Sequence, residues 1–132
     1  MNKYNILKIL NKKAINNDDV PVSCLIIKDG KIISKAYTKR NKNKNPFDHA
    51  EIIAIQKASK KLKTYNLSDC VLYTTLKPCS MCEEVIKESK IKKVYYILEK
   101  TKEVKNIIKY EKIDDINKYF EQEIKSFFKE KR

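Results

Sequence analysis

The chain has 132 residues, of which 42% are hydrophobic and 36% are charged, and its formal net charge is +13. This composition is typical of a folded domain and excludes an intrinsically disordered chain, which would have too few apolar residues to form a core. The longest uncharged run, residues 20–27, is too short to cross a bilayer, so we expect no membrane-spanning segment.

The positive charge comes almost entirely from lysine. Arg40 and Arg132 are the two arginines, and the other 28 of the 30 basic residues are lysines. Excess positive charge is typical of nucleic-acid-binding proteins. Abundant Lys, Asn and Ile are equally typical of an AT-rich genome. The charge alone therefore leaves RNA binding and an ordinary solvated surface as alternatives.

The first half of the sequence predicts a helix, a β-hairpin and a second helix. Apolar residues recur at helical spacing from Ile6 to Ala14, before a run of Asn and Asp ends the pattern. Two β-rich runs follow, joined by Asp29-Gly30, a dipeptide typical of a type I′ hairpin turn. After a polar loop, Asp48 is the predicted N-cap of a helix whose apolar residues again recur at helical spacing.

The second half predicts further strands and two helices. Residues 70–76 form a near-continuous apolar run, which is typical of a strand buried on both faces. Pro78 suits the first turn of the helix that follows. Strands are predicted at residues 93–98 and, as a candidate, at 106–110. Residues 114–132 predict an amphipathic, basic C-terminal helix.

This order of elements predicts an α/β fold. We expect a single three-layer α/β/α domain over residues 1–132, built around a mixed central sheet of about five strands. The hairpin makes one part of the sheet antiparallel, and the strand–helix–strand connection of the second half makes the other part parallel.

Two of the four cysteines, Cys79 and Cys82, are three residues apart within the segment TTLKPCSMC. Such a pair is compatible with a disulfide, a redox-active dithiol, part of a metal site or chance. The N-terminal segment lacks the continuous apolar core of a signal peptide, so we expect a cytoplasmic protein, in which a metal site is favoured over a disulfide. Cys24 and Cys70 lie in apolar runs and are interpreted as small buried residues.

The single histidine, His49, decides between these alternatives. Alone, a histidine at the start of a helix is more often a capping or surface residue than a ligand. Together with Cys79 and Cys82 it provides three ligands suited to zinc and leaves the fourth tetrahedral position open, as in catalytic zinc sites. Glu51 is then a candidate proton acceptor for an attacking water. Its alternative role is to offset the dipole of its helix.

The motifs HAE at residues 49–51 and PCSMC at residues 78–82 resemble the zinc site of nucleoside and base deaminases. The longer segments VPVSCLII, DHAEIIAIQKA and SDCVLYTTLKPCSMC are similar to segments of the tRNA-specific adenosine deaminases. The resemblance extends over most of the chain. It implies a cytidine-deaminase-like fold and a zinc-dependent hydrolase that acts on a base.

The resemblance also implies individual roles. His49, Cys79 and Cys82 would be the zinc ligands. Glu51 would move protons from the attacking water to N1 of the adenine ring and to the departing ammonia. The implied substrate is the wobble adenosine of a tRNA anticodon loop, which would be converted to inosine. The implied assembly is a homodimer.

The substrate side of the resemblance is less complete than the metal side. Val22 and Thr38 would line the base pocket, but the family usually has Asn where this chain has Thr38. Lys77 stands where a carboxylate is usual. The loop near Lys100 is shorter than in the family and lacks an Asp that contacts RNA. These three departures affect substrate choice and leave the metal motif intact.

Two other functions remain as alternatives. A deaminase of a free base or nucleoside, such as guanine, cytosine or a related ring, would use the same metal chemistry. The cluster Lys39–Arg40–Lys42–Lys44 beside the motif helix favours RNA over such a substrate. A non-catalytic, zinc-stabilised RNA-binding subunit is the second alternative, and the presence of Glu51 argues against it.

Overall fold

The computed structural model describes residues 2–99, 109–110 and 117–130, and the chain forms two compact units, Met1–Thr101 and Lys102–Arg132. None of the helices in these ranges is both long enough and apolar enough to cross a membrane. The elements of the first unit are α1 (Lys3–Asn16), β1 (Ser23–Lys28), β2 (Lys31–Tyr37), α2 (Arg40–Asn43), α3 (Ala50–Leu62), β3 (Val71–Leu76), α4 (Ser80–Glu88) and β4 (Val94–Leu98).

The N-terminal helix α1 forms where the apolar stripe predicts it. The side chain of Asn2 caps its start, because Oδ1 accepts a hydrogen bond from the N–H of Asn5 at 3.0 Å. Leu7, Leu10 and Ala14 are its buried residues, so the apolar stripe is the face that packs.

The hairpin between β1 and β2 also agrees with its prediction. Asp29 and Gly30 have φ angles of 51° and 75°, which are the two left-handed conformations that a type I′ turn requires. Glycine adopts this conformation without steric cost, and the only glycine of the sequence is placed here.

The sheet has the strand order β2-β1-β3-β4. β1 pairs antiparallel with both β2 and β3, whereas β3 and β4 are parallel, which confirms the predicted mixed sheet. Four strands lie in the described part of the chain. The candidate fifth strand falls mainly on residues 106–108, which lie outside it. Because β1 is antiparallel to both neighbours, β2 and β3 end at the edge of the sheet where β1 begins.

Helices cover both faces of the sheet, which confirms the three-layer α/β/α arrangement. On one face, α1 packs Leu7 and Leu10 against Leu25 of β1. On the other face, α3 and α4 pack on the alternate strand residues, including Ile26 and Leu72. A buried serine joins the layers, because Ser23 Oγ donates to the backbone oxygen of Leu7 at 3.0 Å and the Ser23 N–H donates to Thr75 Oγ1 at 3.1 Å.

The second unit contains one helix, α5 (Asn117–Glu130), within its described residues. It lies inside the helix predicted for residues 114–132, whose remaining positions, 114–116 and 131–132, are outside the described part. An ion pair at i,i+4, between Glu121 and Lys125 at 2.8 Å, supports the helix. The assignment of residues 1–132 to a single domain stays a prediction.

Candidate metal centre and base pocket

Two helices begin at the sheet edge where β1 starts, and each begins with a predicted metal ligand. His49 is the N-cap residue of α3, and Cys79 is the N-cap residue of α4. The predicted N-cap, Asp48, is therefore one residue too early. Its carboxylate accepts a hydrogen bond from Asn43 Nδ2 at 2.8 Å instead of capping the helix.

The N-cap position leaves both ligand side chains available. An N-cap side chain normally accepts a hydrogen bond from the first turn of its helix. Neither His49 nor Cys79 does so, although both have the extended backbone of an N-cap. The positive ends of two helix dipoles also meet here, which favours thiolate over thiol.

The structure brings the three predicted ligand atoms together. His49 Nδ1 lies 3.7 Å from Cys79 Sγ and 3.5 Å from Cys82 Sγ, and the three atoms are within 4.8 Å of one another. In a tetrahedral site with usual zinc bond lengths, nitrogen and sulfur ligands lie about 3.6 Å apart. The donor set and its spacing therefore fit a zinc ion. In the described ranges, no other group of His, Cys, Asp and Glu side chains is placed to hold a metal.

In the absence of a cation, burial shifts the pKa values of Cys82 and His49. Burial, and then the negative charge of Glu51, raise the pKa of the Cys82 thiol well above its usual value. Burial and the nearby Arg40 charge lower the pKa of His49, which favours the neutral imidazole that metals bind. A bound cation would reverse the effect on Cys82, since it favours the thiolate.

Glu51 lies beside the ligands, buried in the first turn of α3 with 4% of its surface exposed. It forms a hydrogen bond with Cys82. Two residues that are two apart in mid-helix point about 200° apart. His49 and Glu51 nevertheless line one cavity, because His49 precedes the helix and only Glu51 is inside it.

A cavity of about 140 Å³ opens next to the ligands. Of the residues predicted from the sequence, it is lined by His49, Glu51, Cys79, Val22 and Thr38. Arg40 and Lys77 also line it, and the sequence analysis connected both with substrate binding, Arg40 as part of the basic cluster and Lys77 as a departure from the family. Val20 and Leu76 complete the lining and were not predicted, because no local motif marks them and it is the pairing of β1 with β2 and β3 that brings them to the site.

The hydroxyl of Thr38 is oriented by the backbone. Thr38 Oγ1 donates to the carbonyl oxygen of Val22 at 3.3 Å, and the Thr38 N–H donates to the same oxygen at 3.0 Å. In this orientation the hydroxyl offers only its lone pairs to the cavity. Thr38 is thus placed to accept a hydrogen bond from an N–H group of a ligand.

The remaining two cysteines are buried, as their apolar surroundings predict. Cys24 is fully buried and Cys70 is 3% exposed, and neither belongs to the metal-binding group. Burial, and then the charge of Glu51, raise the pKa of Cys24 well above its usual value. Cys24 is therefore a neutral thiol that packs behind the site.

Lys77 is exposed at the mouth of the cavity. Its ammonium lies 3.8 Å from Glu99 Oε2 and 5.6 Å from the centre of the Tyr96 ring. The Tyr96 hydroxyl donates to the same carboxylate at 2.7 Å. Lys100, the other position that departs from the resemblance in charge, lies outside the described residues.

Known proteins resemble this chain in both sequence and fold. The tRNA-specific adenosine deaminase of Aquifex aeolicus is 44% identical over 85 residues, which are 64% of this chain and 56% of that protein. The chain spans little more than half the length of the curated relatives it matches.

Two solved structures share the fold. One, from studies of A-to-I editing by tRNA:A34 deaminases at the wobble position of transfer RNA, has a TM-score of 0.71 and is 28% identical. The match covers 74% of this chain and 75% of that one. The other, guanine deaminase from Bacillus subtilis, has a TM-score of 0.79 and is 30% identical, covering 96% of this chain and 95% of that one.

A family model places the site within a wider group. Residues 4–98 match the cytidine and deoxycytidylate deaminase zinc-binding region. The matched segment contains His49, Glu51, Cys79 and Cys82 and every element of the first unit. The chain therefore belongs to the cytidine and deoxycytidylate deaminase zinc-binding family.

Proposed function

We propose that the protein is a zinc-dependent hydrolase that deaminates the wobble adenosine of tRNA to inosine and releases ammonia. The observation that carries this proposal is the meeting of a three-ligand metal group and a buried carboxylate at one small cavity. A catalytic zinc site needs both an open position and a nearby proton acceptor. The name of the Aquifex relative and the editing deaminase of similar fold support tRNA adenosine as the substrate.

His49, Cys79 and Cys82 would hold the zinc. The distances of 3.5 and 3.7 Å between His49 Nδ1 and the two sulfur atoms support this ligand set. When bound, zinc would lower the pKa of a water molecule and make it a nucleophile near neutral pH. The dipoles of α3 and α4 would stabilise the negative charge of the ligands.

Glu51 would transfer the protons of the reaction. Its carboxylate lies at the cavity wall, next to the ligands, so it can accept a proton from the attacking water. It would deliver this proton to N1 of adenine, which makes C6 more electrophilic, and would then transfer the proton of the new C6 hydroxyl to the departing amine as the C6–N bond breaks and the carbonyl forms. Because Glu51 is buried, bulk water does not compete for these transfers. Val22 and Thr38 would position the ring.

A free-base deaminase, acting on guanine, is the second candidate. The Bacillus subtilis guanine deaminase structure aligns with 96% of the chain, which is more than the tRNA deaminase structure covers. The lone pairs of Thr38 also suit a ring N–H, which guanine has at N1. The net charge of +13 favours the polyanion, because a neutral base gains nothing from it.

Cellular context follows from the same residues. We propose a cytoplasmic protein, since all four cysteines are free and a reducing compartment keeps the metal ligands reduced. The proposed partner is the anticodon loop of tRNA, whose unpaired bases can enter a cavity of this kind. The exposed basic segment around Arg40 and Lys42 supplies charges for its backbone.

Loss of one ligand is expected to remove the metal and to destabilise the protein. We predict one zinc per chain in the purified protein and little or none in His49→Ala or Cys82→Ala. A ligand at 1,000 times its Kd stabilises by about 4 kcal/mol, so the melting temperature of both variants should fall. Elemental analysis and thermal unfolding measure the two effects. Cys70→Ala, which removes a buried thiol outside the group, is the control and should retain its zinc. Full zinc occupancy in His49→Ala would contradict the ligand set.

Replacing the proposed proton shuttle should separate metal binding from turnover. Glu51→Gln keeps the shape of the side chain, so we expect normal zinc content and a kcat at least about 100-fold lower. Glu83→Gln changes an exposed acid in the first turn of α4 and should leave kcat unchanged. A loss of only a few fold in Glu51→Gln would mean that another group transfers the proton.

Product analysis distinguishes the two substrates. The wild-type protein should form inosine at the wobble position of tRNA, and its kcat/KM should decrease as salt increases, because phosphate contacts dominate RNA affinity. Guanine, adenosine and cytidine are assayed in parallel. Rapid ammonia release from guanine with no inosine in tRNA would replace the proposal with the second candidate.

We also propose a homodimer that forms through α3 and α4. A shallow groove of about 480 Å³ beside these helices has a mixed lining: Ile55, Val85 and Tyr65, which is 78% exposed, together with Ser59, Glu88, Ser89 and Lys90. Burying its apolar side chains against a second copy would stabilise the assembly. Light scattering at micromolar concentration should give twice the chain mass of 15.6 kDa. A mass of one chain would contradict this assembly and would not affect the metal site.

A further inference from the structure

Two positively charged side chains stand at the mouth of the cavity. Arg40 and Lys77 are both exposed, and both line the cavity that contains Glu51 and the metal group. Three of the other side chains that line the cavity are apolar: Val20, Val22 and Leu76. A ligand whose ring enters the cavity therefore meets positive charge as it passes the mouth.

The sheet places the two charges on different sides of the opening. Arg40 follows β2 and Lys77 follows β3, and the start of β1 lies between them. Neighbouring strands are about 4.8 Å apart, so two side chains separated by one strand start about 10 Å apart. They are thus able to contact two different groups of one ligand.

The backbone that carries Arg40 is anchored on both sides. The carboxylate of Asp19, which is 8% exposed, accepts hydrogen bonds from the N–H groups of Asn41 at 2.6 Å and Lys42 at 3.2 Å. The N–H of Lys39 donates to the carbonyl oxygen of Asp48 at 2.9 Å. A fixed backbone reduces the entropy that Arg40 loses when it binds an anion.

Both charges are available to a ligand. In residues 2–99, 109–110 and 117–130, no carboxylate oxygen lies within 4.0 Å of the Arg40 guanidinium. Lys77 lies over the ring of Tyr96 and forms an ion pair with Glu99, in which the side chains are 46% and 66% exposed. Such exposed pairs contribute little, so Lys77 exchanges Glu99 for a stronger anion at small cost.

We propose that Arg40 and Lys77 bind the phosphates on the two sides of the nucleotide whose base enters the cavity. The inference rests on the proposed function and narrows its substrate class to a base held within a phosphodiester chain. Arginine can bind a phosphate with two parallel hydrogen bonds, and lysine binds one as a point charge. An enzyme that takes a base out of a strand must hold the flanking backbone, and this pair is placed to do so.

The test compares three variants that each remove one positive charge. Arg40→Gln and Lys77→Gln remove the proposed phosphate contacts. Lys60→Gln is the control, because Lys60 is exposed in the last turn of α3, about 16 Å along the helix from His49. For each protein, the Kd for an anticodon stem-loop is measured by fluorescence anisotropy between 50 and 200 mM salt. The KM values for the stem-loop, adenosine and adenosine 5′-monophosphate are measured alongside, together with zinc content and melting temperature.

Arg40→Gln and Lys77→Gln should each raise the Kd and KM for the stem-loop roughly tenfold and reduce the salt slope of binding by about one. The effect on the KM for adenosine, which has no phosphate, should be smaller than the effect on the KM for the stem-loop, and Lys60→Gln should have little effect on any substrate. All variants should retain their zinc and melting temperature.

Three outcomes would contradict the inference. If the wild-type protein edits the stem-loop and all three variants bind it with the same Kd as the wild-type protein, the proposed contacts are wrong and the proposed function stands. If Arg40→Gln and Lys77→Gln raise the KM for adenosine 5′-monophosphate and not for the stem-loop, the site recognises a free nucleotide. The inference that the base is held within a phosphodiester chain is then wrong. If the wild-type protein deaminates guanine and leaves the stem-loop unmodified, the proposed function fails and the inference fails with it.

Discussion

The direction of β1 is the constraint on which the site depends. β1 runs antiparallel to both β2 and β3, so the chain leaves both neighbours at the edge where β1 begins. The helices α3 and α4 follow these two strands and start near that edge, where their N-cap residues are His49 and Cys79. If β1 were parallel to one neighbour and antiparallel to the other, the two motifs would lie at opposite ends of the sheet, although each motif would be unchanged.

Because the two motifs meet at one edge, groups that can carry negative charge lie close together, and a bound cation would offset their mutual repulsion. Three groups that can carry negative charge, Glu51, Cys79 and Cys82, meet around a neutral imidazole in a largely buried place. Without a metal, burial and the charge of Glu51 raise the pKa of Cys82, so the thiol keeps its proton. A divalent ion offsets the negative charges, displaces this proton and joins two helices that are distant in sequence. Metal affinity and folding stability are therefore linked through one set of side chains.

The sequence predicts those features that local chemistry determines. The turn at Asp29-Gly30 follows from a pattern two residues long. The mixed sheet follows from the order of the elements, and the grouping of His49, Cys79 and Cys82 was predicted by combining two separate motifs that resemble a known zinc site. The start of α3 was predicted one residue early: His49 is the N-cap, and the carboxylate of Asp48 accepts a hydrogen bond from Asn43 in the preceding loop. The lining of the cavity was predicted only in part. Arg40 and Val20 are twenty residues apart, and only strand pairing shows that they share a surface.

Two parts of the site bear on the proposed choice of substrate, the hydroxyl of Thr38 and the charges of Arg40 and Lys77. Inside the cavity, Thr38 offers lone pairs, which suit the N1–H of guanine better than the unprotonated N1 of adenine. However, its O–H···O distance of 3.3 Å is long for a hydroxyl donor, so this bond is weak. The Thr38 N–H also satisfies the Val22 carbonyl, at 3.0 Å, so the hydroxyl can rotate and donate to a ring nitrogen at small cost. At the mouth, Arg40 and Lys77 cannot adapt in this way, because both are positively charged. Their charge favours a phosphate and does not contribute to the binding of a neutral base. The adaptable contact lies inside the cavity and the positive charges line it nearer to solvent, an arrangement that agrees with the proposed substrate, a base carried by RNA.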